Sequence, residues 1–316
     1  MTDKAVHFSR ATIVGIGLIG SSLARAIREQ GLADEIVGYD ADEDALSRAL
    51  ALGVLDKTAE SLPAALKGAD LVVLATPVGA IGKLVEALSQ SVEDDALVID
   101  VGSVKGAVYA AAAAAPERFH FVPCHPVAGT EQSGPEAGFA SLFRDRWCIL
   151  TPLPRETEGY KTATQKAAAL WAAVGSNVEF MDVAHHDLAL AVTSHLPHLI
   201  AFTLVGAADD LENVAEGEIV KYSAGGFRDF TRIAASDPVM WRDVFLNNKD
   251  AVLEVLGRFS EELAVMQRAI RWGDGKTLED AFSRVRGLRR AIVAAGQESA
   301  APNFGRDQNG QTEKKS

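Results

Sequence analysis

The amino-acid sequence predicts an α/β protein in which a doubly wound, mainly parallel sheet is followed by an all-helical second domain. Short β-branched runs alternate with helical stretches through the first 181 residues, and a glycine-rich hexapeptide joins the first run to the first helix. Beyond residue 181 almost no strand signal remains. Alternation with connections of this length implies parallel strands covered by helices on both faces.

Candidate strands lie at residues 11–14, 35–39, 71–75, 97–100, 121–123 and 147–151, with candidate helices at 21–30, 42–52, 80–88 and 105–115. A later helix near 158–174 and an apolar run at 178–181 complete a first domain of residues 1–181. The second domain, 182–297, reads as long amphipathic stretches at about 182–209, 238–271 and 277–295. Gly273 and Gly275 break the chain before the last of these, and Thr277 followed by Asp280 resembles a helix N-terminus. Residues 298–316 are polar and are expected to form a disordered tail.

A chain of 316 residues accommodates two domains, and an apolar fraction of 48% suits globular cores. The formal charge of -12 argues against nucleic acid or an anionic membrane as partner. It leaves room for a local basic pocket that takes an anionic small molecule. Two cysteines, Cys124 and Cys148, cannot build a disulfide framework and are expected as buried thiols in a reducing compartment. No apolar run reads as a membrane span, and three glycines interrupt the apolar segment 11–20, which argues against a secretory signal. A cytoplasmic protein is expected.

Gly15-Ile16-Gly17-Leu18-Ile19-Gly20 follows the run Thr12-Ile13-Val14 and opens a helical stretch. In that setting each glycine has a reason: a tight turn, close approach of backbone to a pyrophosphate, and close helix packing. The helix N-terminus beyond offers unpaired N–H groups to phosphate. Asp40, twenty residues past Gly20, ends the second strand, where a carboxylate accepts from ribose hydroxyls and repels a 2′-phosphate. Arg48 is the nearest base that could serve a 2′-phosphate, against its ordinary reading as a solvated helix residue. NAD is therefore expected over NADP. Thr76 and Pro77, and the segment Asp100 to Lys105, lie at two further strand ends lining the same crevice. Ser103 there either caps the next helix or turns its hydroxyl to the nicotinamide end, or does both.

His125 sits at a strand end on the cofactor side and opens His125-Pro126-Val127-Ala128-Gly129-Thr130-Glu131. It reads either as a base for proton transfer coupled to hydride transfer or as a loop histidine holding backbone. In Ser194-His195-Leu196-Pro197-His198, Ser194 and His198 share a helix face and Pro197 should free carbonyls. Zinc at His195 and His198 finds no supporting H-E-x-x-H or cysteine pair, so no metal is expected. His185 and His186 read as structural or capping residues. Arg228 and Arg232, one turn apart, offer a fork for a carboxylate, or a surface ion pair with Asp229. The residues alone thus describe a nicotinamide oxidoreductase acting on a small organic acid.

Taken in order, these segments resemble the prephenate/arogenate dehydrogenase family of tyrosine biosynthesis. Gly-Ser-Val-Lys-Gly at 102–106, His-Pro-x-Ala-Gly-Thr-Glu at 125–131, Ser-His-Leu-Pro-His at 194–198, Gly225 to Ala235 and Ser236 to Asp243 carry the resemblance, which runs from about residue 12 to 290. It implies oxidation of a ring carbinol by NAD(P) with loss of the ring carboxylate as CO2, driven by aromatisation. By the same resemblance His125 is the catalytic histidine, and Ser103 orients it beside the nicotinamide. Gly15, Gly17, Leu18, Ile19, Gly20, Asp40, Thr76 and Pro77 are the expected cofactor contacts. Ser194, His198, Thr130 and Glu131 belong to the substrate pocket, Arg232 binds a substrate carboxylate with Arg228 the weaker candidate, and Asp229 and Trp241 lie at the pocket mouth and dimer region. A homodimer through the helical domain is implied, with tyrosine inhibition, if present, acting at the active site near Glu131 and His198. No chorismate mutase domain at the front and no regulatory domain at the back are expected. His198, as a donor to a keto acid, points to prephenate over arogenate.

Overall fold

The computed structural model describes residues 6–212 and 224–294, so the expected tail at 298–316 lies outside the described residues. Six strands form one parallel sheet: β1 (Phe8–Val14), β2 (Ala33–Tyr39), β3 (Lys57–Thr58), β4 (Leu71–Leu74), β5 (Leu97–Asp100) and β6 (His120–Val122), in the order β3-β2-β1-β4-β5-β6. The order reverses between β1 and β4, the switch point at which such sheets open a crevice for a ligand. Every residue of β4 and β5 is buried, as expected where helices cover both faces. Those helices are α1 (Leu18–Glu29), α2 (Glu43–Ala51), α3 (Leu62–Leu66), α4 (Val78–Ser91) and α5 (Gly106–Ala114).

The glycine hexapeptide is shaped by sterics. Gly15 has φ +98°, and a Cβ there would lie 2.5 Å from the Ala75 carbonyl oxygen. A Cβ on Gly20 would lie 2.0 Å from the Gly15 oxygen, whereas one on Gly17 would meet nothing within 4 Å. Two glycines therefore close the turn and one keeps the space over it clear.

After β6 the chain switches sheets at Pro123, which the sequence reading did not anticipate. The short strand β7 (Cys124–Pro126) pairs antiparallel with β8 (Trp147–Leu150), and β8 pairs parallel with β9 (Asn177–Phe180). The runs expected at 121–123, 147–151 and 178–181 therefore do not all extend the parallel sheet. His125 lies inside β7 rather than beyond a strand end. Helix α6 (Glu158–Ala173) joins β8 to β9, right after the segment that returns to β9's neighbour.

From here the chain is helical: α7 (Val183–Leu190), a π-helical turn at Ala191–His195, α8 (Leu196–Glu212), α9 (Gly225–Thr231), α10 (Pro238–Asn247), α11 (Lys249–Trp272) and α12 (Gly275–Ala294). The π turn ends just before Pro197, whose missing N–H disturbs the ordinary ladder as expected. The stretch expected at 238–271 is broken at Asn248, whose side chain donates to the Asp187 carbonyl at 2.8 Å. The last helix is capped by Asp274, which accepts from the Thr277 N–H and hydroxyl, and not by Thr277 itself. Asp280 instead pairs with Lys276 one turn away.

The run Val183–Leu211 is, by length and composition alone, apolar enough to cross a membrane, contrary to the sequence reading. Its buried His186, Asp187 and His195 hydrogen-bond to the sheet domain and to the α10–α11 junction, which docks the first half of the run onto the rest of the protein.

Gly20→Ala should cost about 1–3 kcal/mol, because the clash is with backbone that cannot move aside. Gly17→Ala should stay within about 0.5 kcal/mol of the parent. Thermal unfolding of the two variants checks the contrast.

Candidate active site

The carboxyl ends of β1 and β4 flank the switch-point crevice, and β7 and α7 both bond to the segment at the carboxyl end of β5. On the β1 side Asp40 receives the Ile16 N–H on Oδ2 at 2.6 Å and the Asp42 N–H on Oδ1 at 2.9 Å. Each oxygen keeps a further lone pair at the lip of the glycine turn. Helix α1 begins with no side-chain cap and no acidic residue in its first turn, so its N–H groups remain free for an anion. Thr76 Oγ1 is buried beside this turn without a partner among the described residues. Open space at Gly17, an uncapped helix start and an unpartnered hydroxyl together fit a dinucleotide pyrophosphate. Arg48, weighed for a 2′-phosphate, makes a 2.6 Å ion pair with Glu136.

Across the crevice, His125 is 5% exposed. Its Nδ1 lies 2.8 Å from Nε2 of His186, and His186 Nδ1 lies 2.8 Å from Asp187 Oδ1. Asp187 in turn receives the Lys105 N–H on Oδ1 and the Gly106 N–H on Oδ2, both at 2.8 Å. Ser103 is therefore not the cap of α5: Asp187, from the helical domain, holds the N–H groups at its start. Ser103 is half-buried at the β5 end, and no hydrogen bond joins it to His125 among the described residues.

Lys105 is fully buried, with Nζ bonded to Asp100 Oδ2 and to the Cys124 carbonyl at 2.7 Å. Asp100 also receives the Gly102 N–H at 2.8 Å and the Cys124 N–H at 3.0 Å. This pair ties the β5 end to the residue preceding His125. Cys124 and Cys148 are free and buried, as the sequence suggested.

His198 donates from one ring nitrogen, Nδ1, to the Ser194 carbonyl at 2.8 Å. Its ring stacks on Trp241 with centroids 3.7 Å apart and planes at 23°. Trp241 is buried, and its Nε1 has no hydrogen-bond partner among the described residues. His195 takes a different direction, with Nδ1 3.0 Å from Asn248 Nδ2, so the two histidines do not converge on a metal. Among the described residues no group of three His, Cys, Asp or Glu side chains is placed to hold one. Arg232 makes a 3.0 Å ion pair with Glu131, both part-exposed at the rim. Thr130 Oγ1 accepts the Gln132 N–H at 3.2 Å and so shapes the turn that presents Glu131. Arg228 and Asp229 are exposed on α9, outside this cluster.

Two family models match the chain: the nucleotide-binding domain of prephenate dehydrogenase over residues 23–180 and its dimerization domain over 182–284. The chain belongs to the prephenate dehydrogenase family. It is 39% identical to the cyclohexadienyl dehydrogenase of Zymomonas mobilis, over 90% of this chain and 96% of that one. It is 36% identical to the prephenate dehydrogenase of Bacillus subtilis, over 92% and 78%. Among solved structures, the prephenate dehydrogenase of A. aeolicus in complex with hydroxyphenyl propionate and NAD+ superposes with a TM-score of 0.83 at 36% identity, covering 92% of this chain and all of that one. An arogenate dehydrogenase from Synechocystis superposes at 0.72 with 25% identity, over 90% and 99%. Like its relatives, the chain is an NAD-dependent dehydrogenase.

Sequence reasoning singled out His125, His198, Arg232 and Trp241, and missed the buried set behind them. His186, read as structural, and Asp187 and Lys105, not read for function, form the hydrogen-bonded set around His125. A His-Asp pair at the start of an apolar helix was the available signal.

Burial keeps the histidines of this wall neutral. His125 is pushed well below 6.5 by burial, with the charges of His186, Lys105 and His195 adding to it. His186 is lowered mainly by burial, against its bond to Asp187, and His195 falls to about 4 for the same first reason. The unfolded chain binds these protons at 6.5 while the fold refuses them. Stability from these groups is therefore complete above 6.5 and is lost as pH falls from 6.5 toward 4. Urea unfolding across that window should show it, and replacing His195 should flatten the slope.

Proposed function

We propose that this enzyme oxidises prephenate with NAD, giving 4-hydroxyphenylpyruvate and CO2. The observation that carries this reading is a neutral, buried histidine facing the crevice at the switch point, with an arginine at its rim. Gly15, Gly17, Leu18, Ile19, Gly20, Thr76 and Pro77 would hold the dinucleotide, with Asp40 accepting from the ribose. Bound there, NAD supplies the hydride acceptor. His125 takes the ring hydroxyl proton on Nε2 as the carbinol C–H leaves as hydride. The ring carbon–carboxylate bond then breaks, its electron pair completes the aromatic ring, and His125 returns the proton to the phenolic oxygen. Arg232 anchors a substrate carboxylate, exchanging Glu131 for it, and Ser103, Ser194 and Thr130 line the bound ring.

One observation favours arogenate as a second substrate. His198 spends its N–H on the Ser194 carbonyl, and its pKa is lowered, first by burial. The neutral ring then offers an acceptor at Nε2, which suits an ammonium better than a keto oxygen. This removes the ground on which the sequence reading set arogenate aside, where His198 was taken as a donor. Tyrosine, with the same ammonium and carboxylate, fits the same contacts with Glu131 and His198.

We also infer a homodimer through the helical domain. Leu246, Leu253, Ile270, Trp272 and Phe282 are all more than 60% exposed on α10, α11 and α12, more apolar surface than a monomer keeps in water. With two free cysteines and a biosynthetic reaction, a cytoplasmic location is the natural setting.

Steady-state kinetics with each substrate and each nicotinamide cofactor tests the reading; no NAD reduction with either substrate would sink it. Arg232→Ala should raise KM at least about tenfold with a smaller change in kcat. Because the His125 pKa lies below 6.5, kcat/KM should stay flat from pH 8 through 6.5 and fall only in more acid solution. The ratio of kcat/KM for arogenate over prephenate should rise with pH as His198 loses its second proton.

A further inference from the structure

The pair behind His125 has no place in the chemistry above, yet its hydrogen bonds leave one assignment of protons. The Asp187 carboxylate receives two backbone N–H groups at the start of α5. Burial alone would raise its pKa, but the bonds from His186, Lys105 and Gly106 outweigh that and hold it lowered, hence ionised. An ionised carboxylate only accepts. The hydrogen between Asp187 and His186 must therefore sit on His186 Nδ1.

His186 is neutral and has one N–H, so its Nε2 is an acceptor. That Nε2 faces His125 Nδ1 at 2.8 Å, with the rings edge to face at 68°. The hydrogen of this contact must then sit on His125 Nδ1. The lone pair of His125 is left on Nε2, the nitrogen not engaged by the wall. With no acceptor behind the ring, nothing would exclude the opposite tautomer, whose Nε2–H cannot take a proton.

We propose that His186 and Asp187 are positioning residues that lock His125 as the Nδ1–H tautomer, with Nε2 as the base. The same chain serves the charged state. When Nε2 gains a proton, the Nδ1–H still donates to His186, and Asp187 supplies the only negative end of the chain. Lys105 and His195, the other groups facing His125, oppose that charge, with Lys105 tied to Asp100. The helical domain thus sets the protonation of a base carried by the sheet domain.

This rests on His125 being the base, so two sets of variants are needed. His186→Leu removes the acceptor, and His186→Gln restores one through its amide oxygen. For His186→Leu, kcat on the pH plateau should fall about 100-fold, with KM for substrate and NAD within about twofold. His186→Gln should recover at least about tenfold of that loss. Equal losses in both, or a loss confined to KM, would overturn the proposal. Should the leucine variant not fold, His186→Met gives the same comparison. His125→Asn separates the two readings. Unimpaired kcat there removes His125 as the base, whereas an inactive His125→Asn beside an unaffected His186→Leu removes the relay alone.

Discussion

One carboxylate joins the two halves of this enzyme. Asp187, on the first helix of the helical domain, satisfies the N–H groups that begin α5 in the sheet domain, and through His186 it reaches His125. A buried carboxylate is costly unless its acceptor positions are filled. Here a helix N-terminus and an imidazole fill them, so the charge, the docking of the domains and the tautomer of His125 depend on one another. Lys105 works on the same joint from the other side. Its backbone N–H binds Asp187, while its side chain, neutralised by Asp100, binds the carbonyl just before His125.

This arrangement divides the site into a buried wall and a part-exposed rim. His125, His186, His195 and Lys105 are buried. Arg232 and Glu131 remain part-exposed at the rim, where an ion pair in contact with solvent is weak. The glycine turn keeps clear space at Gly17.

Much of the fold was legible because its signals are local. The glycine hexapeptide, the apolar run of β4, the apolar run that opens β5 and the loss of strand character after Met181 all follow from side-chain periodicity and turn chemistry. The switch of sheets at Pro123 was not legible, since three residues either side of a proline carry no pairing information. The break at Asn248 was hidden for a related reason: it is fixed by a tertiary bond to the Asp187 carbonyl, not by a local breaker. Within the site, His125 and Arg232 stood out by residue type and context. His186 and Asp187 did not, because their roles arise from partners 61 to 82 positions away in sequence. His198 was recognised, but its donor nitrogen was committed to Ser194, which only coordinates reveal.

The central claim concerns which nitrogen of His125 carries hydrogen, and imidazole nitrogens report this directly. A long-range proton–nitrogen NMR spectrum of the 15N-histidine enzyme at pH 7.5 should show His125 as a neutral ring protonated at Nδ1, with His186 likewise protonated at Nδ1. Assignment follows from the loss of one ring system in His125→Asn. A His125 ring protonated at Nε2, or exchanging freely between the two forms, would contradict the account.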